Sequence, residues 1–329
     1  MRKTISIVSP CYNEEDSLRE CYEAVRDMFR NELPGYDYEH VFSDNGSTDT
    51  TPEMLRALAA EDPRVRVILN ARNFGPFRSM FNALRRTSGD AVITFLPIDL
   101  QDPPALVPEF VRLWESGYEI VAGARTTREE SWMMRKSRSL FYRTVNRLAD
   151  FEIPEKVGEF QLIDRKVADA VLSYQDHYPF LRGMIAAVGF RRIVVPYHWA
   201  KRERGRSRLN LFMLIDQAIN GILSYTSAPM RVCTLVGMAI ASLSIFYSVG
   251  VGAAWALGLT SAPRGIITLI VSLFFLSGLQ FLFIGVMGEY VTSIHKQVRG
   301  GPVVVERDAI NFAEVEAEPK PAARKSRRG

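Results

Sequence analysis

The sequence predicts an α/β fold with a mostly parallel sheet and helices on both faces, followed by interfacial amphipathic helices and a two-helix transmembrane hairpin. First, β-type segments alternate with helical segments in the N-terminal part of the chain, which is typical of a parallel sheet covered by helices. Second, polar loops follow the strands. Third, two long segments without charge, Val232–Leu259 and Ile266–Met287, lie towards the C-terminus.

The elements of the sheet domain follow from runs of β-type residues and from apolar residues at helical spacing. Strands are expected at Thr4–Ser9, Tyr38–Ser43, Val65–Leu69, Ala91–Leu96 and Ile120–Ala124. Helices are expected at Ser17–Phe29, Thr51–Ala60, Phe77–Arg86 and Pro104–Glu115. Pro52 supports the second helix, because proline is favoured at the first helical position.

The loops that follow these strands carry polar residues. They are Pro10–Glu15, Asp44–Asp49, Asn70–Gly75 and Pro97–Asp102. Ligands of open α/β sheets bind beyond the carboxyl ends of the strands. We therefore expect the four loops to line a single crevice.

Beyond Arg125 the pattern changes and the chain becomes more basic. A basic helix is expected at Ser131–Asp150, a short helix at Phe180–Val188, an edge strand at Arg191–Pro196 and a basic loop at Lys201–Arg208. Leu209–Tyr225 has apolar residues along one side and leads directly into the first uncharged segment. This pattern predicts an amphipathic helix in the membrane interface.

Each uncharged segment is long enough to cross about 30 Å of hydrocarbon as a helix, with a buried helix of a soluble core as the alternative. The link Thr260–Gly265 holds one charge, whereas nearly all Lys and Arg residues lie outside this hairpin. The positive-inside rule then predicts a cytoplasmic (inner) membrane protein with both termini and the sheet domain in the cytoplasm. A two-span hairpin buries little surface alone, so a homo-oligomer is also expected.

These features divide the chain into four parts. The sheet domain occupies residues 1–200, the basic loop and interfacial helix residues 201–230, the two transmembrane helices residues 231–291, and a cytoplasmic tail residues 292–329. The end of the tail, Lys320–Gly329, is rich in Pro, Ala and charge, so we expect it to be disordered. Its cations suit contact with the anionic head groups of membrane lipids.

Composition argues against a nucleic-acid-binding protein and against a zinc-binding or redox-active cysteine protein. The net charge of +4 is too small to indicate a nucleic-acid partner. The three cysteines, Cys11, Cys21 and Cys233, have neither zinc nor redox spacing, so they are expected to be reduced packing residues.

Several motifs together carry a family resemblance. The loop motifs Ile7–Glu15, Asp44–Asp49, Arg72–Gly75 and Asp99–Pro104 resemble those of family-2 glycosyltransferases, which have a GT-A fold. The segments Arg128–Trp132, Asp164–Val167, Phe180–Gly183 and Gly288–Tyr290 resemble those of the polyprenyl-phosphate glycosyltransferases. This subgroup includes dolichyl-phosphate mannose synthase and the bacterial bactoprenol glucosyltransferases. The resemblance covers about Met1–Val305 and does not identify the sugar.

The resemblance implies inverting transfer of a sugar from a nucleotide-diphosphate sugar, with UDP favoured, to the phosphate of a membrane polyprenol. A phosphate monoester with its second pKa near about 6 is already largely anionic at neutral pH, so no strong general base is required. Two alternatives stay open. One is a nucleotide-binding membrane scaffold with a degenerate metal site, and the other is a processive polysaccharide synthase, which would need more spans.

Donor binding is assigned by the resemblance to a set of residues in the crevice loops. These residues are Pro10, Tyr12, Asn13, Glu14, Asp44, Asn45, Asn73, Asp99 and Gln101. Asp44 matches the carboxylate that accepts hydrogen bonds from the base or the ribose. Asn45 stands where the family commonly has a second Asp, and a purely turn-forming role is the alternative.

A divalent cation is also implied, although the usual Asp-x-Asp motif has Pro97 in its first position. Asp99 and Gln101 match the positions that reach the ion. Mg²⁺ and Mn²⁺ suit such oxygen ligands together with substrate phosphates. The alternative is a metal-poor site in which arginines balance the diphosphate. Asp102 fits the separate role of a cap for the helix that follows.

The residues expected to act in catalysis are Asp99, Arg125, Arg202 and Arg208. Arg125 follows the fifth strand, and the other two arginines belong to a loop resembling the family motif Arg-x-x-Gly-x-Ser-Lys/Arg. Guanidinium groups suit bidentate contacts with phosphate. For several of these arginines, attraction to anionic lipid head groups is the alternative.

Overall fold

The computed structural model describes residues 2–126, 157–174, 176, 179–198, 228–257, 265–298 and 301–312. These residues form an eight-stranded sheet flanked by helices, and two long apolar helices. Several predicted elements lie outside the described residues: the helix at Ser131–Asp150, the loop at Lys201–Arg208, the amphipathic helix at Leu209–Tyr225 and the tail at Lys320–Gly329.

The sheet is mostly parallel, as the sequence predicted. Its strands are β1 (Thr4–Cys11), β2 (Asp37–Asp44), β3 (Val65–Asn70), β4 (Ala91–Ile93), β5 (Ile120–Arg125), β6 (Val157–Asp164), β7 (Arg192–Tyr197) and β8 (Glu306–Ile310). They are ordered β7-β5-β6-β4-β1-β2-β3-β8. β6 and β8 run antiparallel to their neighbours, and the other described strands share one direction.

Helices cover both faces of this sheet. They are α1 (Leu18–Glu32), α2 (Thr51–Glu61), α3 (Pro76–Arg85), α4 (Val107–Glu115), α5 (Arg165–Leu172) and α6 (Leu181–Ala187). Helices α1, α2 and α4 pack on one face of the sheet in a single apolar layer, and α3, α5 and α6 pack on the other face in a second layer. In α1, Leu18, Cys21 and Val25 are buried at helical spacing, so one stripe of the helix faces the core. Fully burying a large apolar side chain contributes about 1.5–3 kcal/mol.

The structure corrects the predicted elements in a few places. The strand predicted at Ala91–Leu96 has regular pairing only over Ala91–Ile93. The helix predicted from Pro104 begins as a 3₁₀ turn at Pro104–Leu106. β6, α5 and β8 were not predicted. β8 carries charged residues and lies at a sheet edge, where charge is common, and its partner β3 is distant in sequence. β7 occupies the other edge, as expected.

Two long helices, α7 (Ala228–Ala256) and α8 (Ile266–Val298), match the positions of the predicted membrane spans. Within the described residues, one helix is long and apolar enough to cross a membrane. Its window Phe275–Thr292 in α8 has a mean hydropathy of 1.3. Phe281 and other large apolar side chains on α8 are exposed. Length and hydropathy therefore support one candidate span, fewer than the two expected.

Candidate active site

The loops after β1, β2 and β3 meet at the carboxyl edge of the sheet. Cys11 and Asp44 are register partners at the ends of β1 and β2, and Asp44 is paired in turn with Leu69 of β3. The Asn45 N–H donates to the Cys11 carbonyl oxygen at 2.9 Å. Three of the four predicted loops are therefore neighbours, because parallel strands in register end at the same level.

Asn13 joins the first loop to the second. Its Oδ1 accepts from the Thr48 N–H at 2.8 Å, and its own N–H donates to Ser47 Oγ at 2.8 Å. Its φ of 55° lies in the left-handed region, which Asn adopts more readily than most residues. Glu14 is held nearby, since its N–H donates to Thr51 Oγ1 at 3.0 Å. Tyr12, like both of these residues, is partly buried, and Pro10 is the last but one residue of β1.

Asp44 is fully buried at this edge. Its carboxylate accepts from the N–H groups of Gly46 and Ser47, each at 3.2 Å. Burial raises the pKa of Asp44, and the hydrogen bonds from Ser47 and Gly46 oppose this shift. The carboxylate is thus held in a tight turn at the place predicted for nucleoside recognition.

Asn45 and Asn73 fasten the second loop to the third. Asn45 Nδ2 donates to Asn73 Oδ1 at 3.0 Å, and Asn45 Oδ1 accepts from the Phe74 N–H at 2.9 Å. The Gly75 N–H also donates to Asn73 Oδ1, at 2.9 Å. These bonds give both asparagines a loop-fixing role, which is the alternative considered for Asn45.

Gly46 allows the same two loops to approach closely. Its φ is +77°, and a Cβ added there would lie 2.8 Å from the backbone carbonyl carbon of Arg72. A side chain at this position would therefore separate the loops as well as strain the backbone.

Asp99 and Gln101 share a tight turn after β4. The Gln101 N–H donates to Asp99 Oδ1 at 3.3 Å, and the Leu100 N–H donates to the Pro97 carbonyl oxygen at 3.1 Å. Leu100 has a φ of 52°. Both predicted metal ligands are half-buried. Among the described residues, no group of three or more His, Cys, Asp or Glu side chains could hold a metal ion. An ion at Asp99 and Gln101 would need further oxygen ligands from a bound diphosphate or from water.

Asp102 fixes Arg125, a role that the sequence did not reveal. Arg125 Nη2 donates to Asp102 Oδ2 at 2.8 Å, and Arg125 Nε donates to the Tyr197 hydroxyl at 3.2 Å. The Tyr197 hydroxyl donates in turn to Asp102 Oδ1. The expectation that Asp102 caps the following helix is wrong, because its carboxylate is used by β5 and β7 and no side chain caps that helix.

The electrostatics of this triad keep Tyr197 neutral and Arg125 charged. Burial raises the pKa of Tyr197 well above its usual value, and Asp102 raises it further, so the hydroxyl remains a donor. Burial lowers the pKa of Arg125, but Asp102 and Tyr197 outweigh this effect and raise it. Arg125 is therefore a permanent, immobilised cation at the end of β5.

A second ion pair, half-buried and also missed by the site prediction, lies beside Arg125. Glu159 of β6 and Arg182 of α6 approach to 3.8 Å between Oε1 and Nε, and their side chains are only 15% and 19% exposed. Burial raises the pKa of Glu159, whereas Arg182 and Arg125 lower it. Gly158, which precedes Glu159, lies against the Arg125 guanidinium. A Cβ added to Gly158 would lie 3.7 Å from the guanidinium carbon.

The structure therefore brings most of the predicted donor residues to one edge of the sheet and adds Asp102, Tyr197 and Glu159 around Arg125. Asp102 lies within the motif Asp99–Pro104, so the sequence contained a signal for this residue. Arg202 and Arg208 lie outside the described residues. The assigned functions of all these side chains stay predictions.

A mostly parallel sheet with polar loops gathered at its carboxyl edge is a GT-A-like α/β fold. The family model described as "Glycosyl transferase family 2" matches residues 6–172. The chain belongs to this family, and it is a glycosyltransferase.

The chain is also similar to relatives over nearly its whole length. The "SfII prophage-derived bactoprenol glucosyl transferase" of Shigella flexneri is 36% identical over 303 residues, which cover 91% of this chain and 96% of the relative. The "Prophage bactoprenol glucosyl transferase homolog" of Escherichia coli strain K12 is 34% identical with the same coverage. Among solved structures, the mannosyltransferase PcManGT from Pyrobaculum calidifontis, in complex with GDP-Man and Mn²⁺, has a TM-score of 0.47 at 15% identity, covering 91% of this chain and 88% of that one.

Proposed function

We propose that this enzyme transfers a sugar from a nucleotide-diphosphate sugar to the phosphate of a membrane polyprenol. The observation that carries the proposal is the similarity to relatives named bactoprenol glucosyl transferases, which extends over 91% of the chain and is not confined to the sheet domain. The loops that meet at Asp44 and the anchored cation Arg125 suit an anionic donor and an anionic acceptor.

The donor site would occupy the crevice between the Asp44 turn and the Asp99 turn. Asp44 would accept hydrogen bonds from the base or the ribose, while Asn13, Asn45 and Asn73 hold the surrounding loops in place. UDP is the nucleotide that we favour. The sugar would be transferred with inversion, by in-line attack at its anomeric carbon.

Asp99 and Gln101 are the proposed ligands of Mg²⁺ or Mn²⁺, completed by the donor diphosphate. Such an ion would stabilise the negative charge that develops on the leaving nucleoside diphosphate. Because Pro97 replaces the first carboxylate of the usual motif, the protein itself supplies one carboxylate in this turn. The ion would therefore bind weakly without the donor.

The acceptor phosphate would be held by Arg125 together with Arg202 and Arg208. A guanidinium clamp offers bidentate hydrogen bonds to phosphate oxygens. The acceptor needs no proton removed by the protein, because a phosphate monoester is already largely ionised near pH 7. The protein's task is to bring two anions together and to balance their charge.

The proposed setting is the cytoplasmic membrane, with α7 and α8 as a transmembrane hairpin and the sheet domain in the cytoplasm. The window in α8 supports one of these spans. In this setting a water-soluble donor and a lipid-borne acceptor reach the same site, in contact with membrane lipids. A homo-oligomer would bury further surface of the two helices.

The test is to incubate membranes containing the enzyme with undecaprenyl phosphate and a panel of nucleotide sugars, and to detect lipid-linked sugar by mass spectrometry. We expect product with at least one donor, no product after chelation of divalent ions, and none from Asp99→Ala. Asp37→Ala is the matched control, because this exposed aspartate begins β2 at the opposite end of the strand from the site. A fully active Asp99→Ala enzyme would contradict the assigned site.

A second candidate is a nucleotide-binding membrane scaffold without turnover, which the presence of Pro97 and Asn45 favours. Calorimetry with UDP and Mn²⁺ separates the two. Nucleotide binding without product from any donor, under conditions in which a related enzyme works, would favour the scaffold.

A further inference from the structure

The strand β8, which follows α8, begins beside the donor crevice. Only residues 299–305 separate the end of α8 from the start of β8, a stretch that spans at most about 25 Å. β8 pairs antiparallel with β3 at the edge of the sheet. Since β3 leads into the Asn70–Gly75 loop, β8 begins at the edge where the donor loops meet.

The start of this strand is fixed on two sides. The Glu306 carboxylate accepts from Asn82 Nδ2 at 2.7 Å and from Arg86 Nη2 at 2.6 Å. The Val305 carbonyl oxygen accepts from the Ala71 N–H at 2.9 Å. The strand β8 therefore contacts both α3 with its C-terminal end and the Asn70–Gly75 loop. The position of β8 is thus linked to the geometry of that loop.

Arg307 occupies an irregular position in the ladder. Pairing passes from Leu69 with Asp308 to Asn70 with Glu306, with a register shift between them. Such bulges redirect a side chain at a sheet edge. Arg307 lies next to the row of register partners formed by Asp44, Leu69 and Asp308.

The charge of Arg307 reaches Asp44. Burial raises the pKa of Asp44, and Arg307 acts with the turn hydrogen bonds to lower it. The Arg307 side chain is itself exposed. An exposed guanidinium beside this row of register partners therefore acts on the charge of the buried Asp44 carboxylate.

We propose that Arg307 is a positioning residue of the donor site, which balances the Asp44 carboxylate that receives the nucleoside. The site is then complete only when β8 is docked on β3. This inference rests on the proposed function. It makes nucleotide affinity depend on a segment that follows the long apolar helix and lies far from the loop motifs in sequence.

The experiment is titration calorimetry of the full-length enzyme in detergent with UDP and with uridine. Arg307→Ala should weaken the binding of both ligands by about tenfold, because Arg307 acts at the nucleoside end, and Arg307→Lys should restore most of the affinity. Arg56→Ala is the control. It removes an exposed salt bridge, 2.7 Å long, from Arg56 of α2 to Asp308, which lies on β8 next to Arg307. This control should bind UDP like the wild type.

Four results would overturn the inference. Equal affinity of Arg307→Ala and the wild type would remove the role altogether. A loss for UDP but not for uridine would place the arginine at the diphosphate, away from Asp44. An equal loss in Arg56→Ala would assign the effect to general anchoring of the strand. A wild-type enzyme that binds neither UDP nor GDP would refute the proposed function together with this inference.

Discussion

Replacing Tyr197 by Phe tests whether Arg125 works only when it is immobilised. The substitution removes one hydroxyl that donates to Asp102 and accepts from Arg125 Nε at 3.2 Å. The pair of Arg125 Nη2 and Asp102 Oδ2, at 2.8 Å, is left in place. The change therefore loosens the guanidinium without removing its charge.

The cost in stability follows from the burial of the partners. Asp102 is fully buried, and a buried acceptor that loses its donor costs about 1–3 kcal/mol. For a domain of about 150–250 residues, each kcal/mol lowers Tm by about 2–4 °C. We expect a lower Tm, and a fall of about tenfold in kcat/KM, equivalent to about 1.4 kcal/mol of transition-state stabilisation.

The assay is formation of polyprenyl-phosphate sugar at a temperature well below the Tm of both proteins, with thermal unfolding measured in parallel. Tyr36→Phe is the control, because its hydroxyl makes a more exposed hydrogen bond to Glu115 at 3.0 Å. It should change stability by less than about 0.5 kcal/mol. An unchanged kcat/KM in Tyr197→Phe, despite a lower Tm, would show that the tyrosine is only structural.

Two further predictions concern the donor loops and the core. Gly46→Ala should destabilise the loops and weaken UDP binding, whereas Gly189→Ala should cost less, since both have positive φ but only the first meets a neighbouring backbone; equal losses of UDP affinity in calorimetry would contradict this reasoning. Burial lowers the pKa of His40 to about 3. Between about pH 6.5 and pH 3 the unfolded chain therefore binds a proton that the folded protein excludes. The free energy of unfolding should decrease as pH drops through this window, so the protein becomes less stable. His40→Gln should flatten that dependence in urea unfolding at pH 7.5 and pH 5, and an unchanged slope would argue against the buried neutral imidazole.

Local patterns predicted the regular part of the sheet domain well. The helical spacing of Leu18, Cys21 and Val25 located α1, and Pro52 marked the start of α2, because both signals act within a few residues. The strand ends followed from the polar residues that interrupt each apolar run. The convergence of the loops at Asp44 then required only that the strands be parallel.

Contacts between distant segments were beyond the reach of the same patterns. Asp102 was interpreted as a helix cap because capping depends on local sequence, but its partners Arg125 and Tyr197 come from two other strands. Glu159 and Arg182 meet across β6 and α6 in the same way. β8 was missed because its short, charged sequence carries little strand signal, and its pairing with β3 depends on a chain that returns from α8.

The sequence by itself determined the alternation of strands and helices, the loops with chemistry-bearing residues and the apolar helices, because each is written in spacing and composition over short stretches. The tertiary structure alone decided which cation is immobilised, which carboxylate holds it and which strand closes the donor edge. These choices depend on burial and on hydrogen bonds between segments that only the folded chain brings together. The sequence marked Arg125 by its position after the fifth strand, but only the folded chain shows that Asp102 and Tyr197 fix it in place.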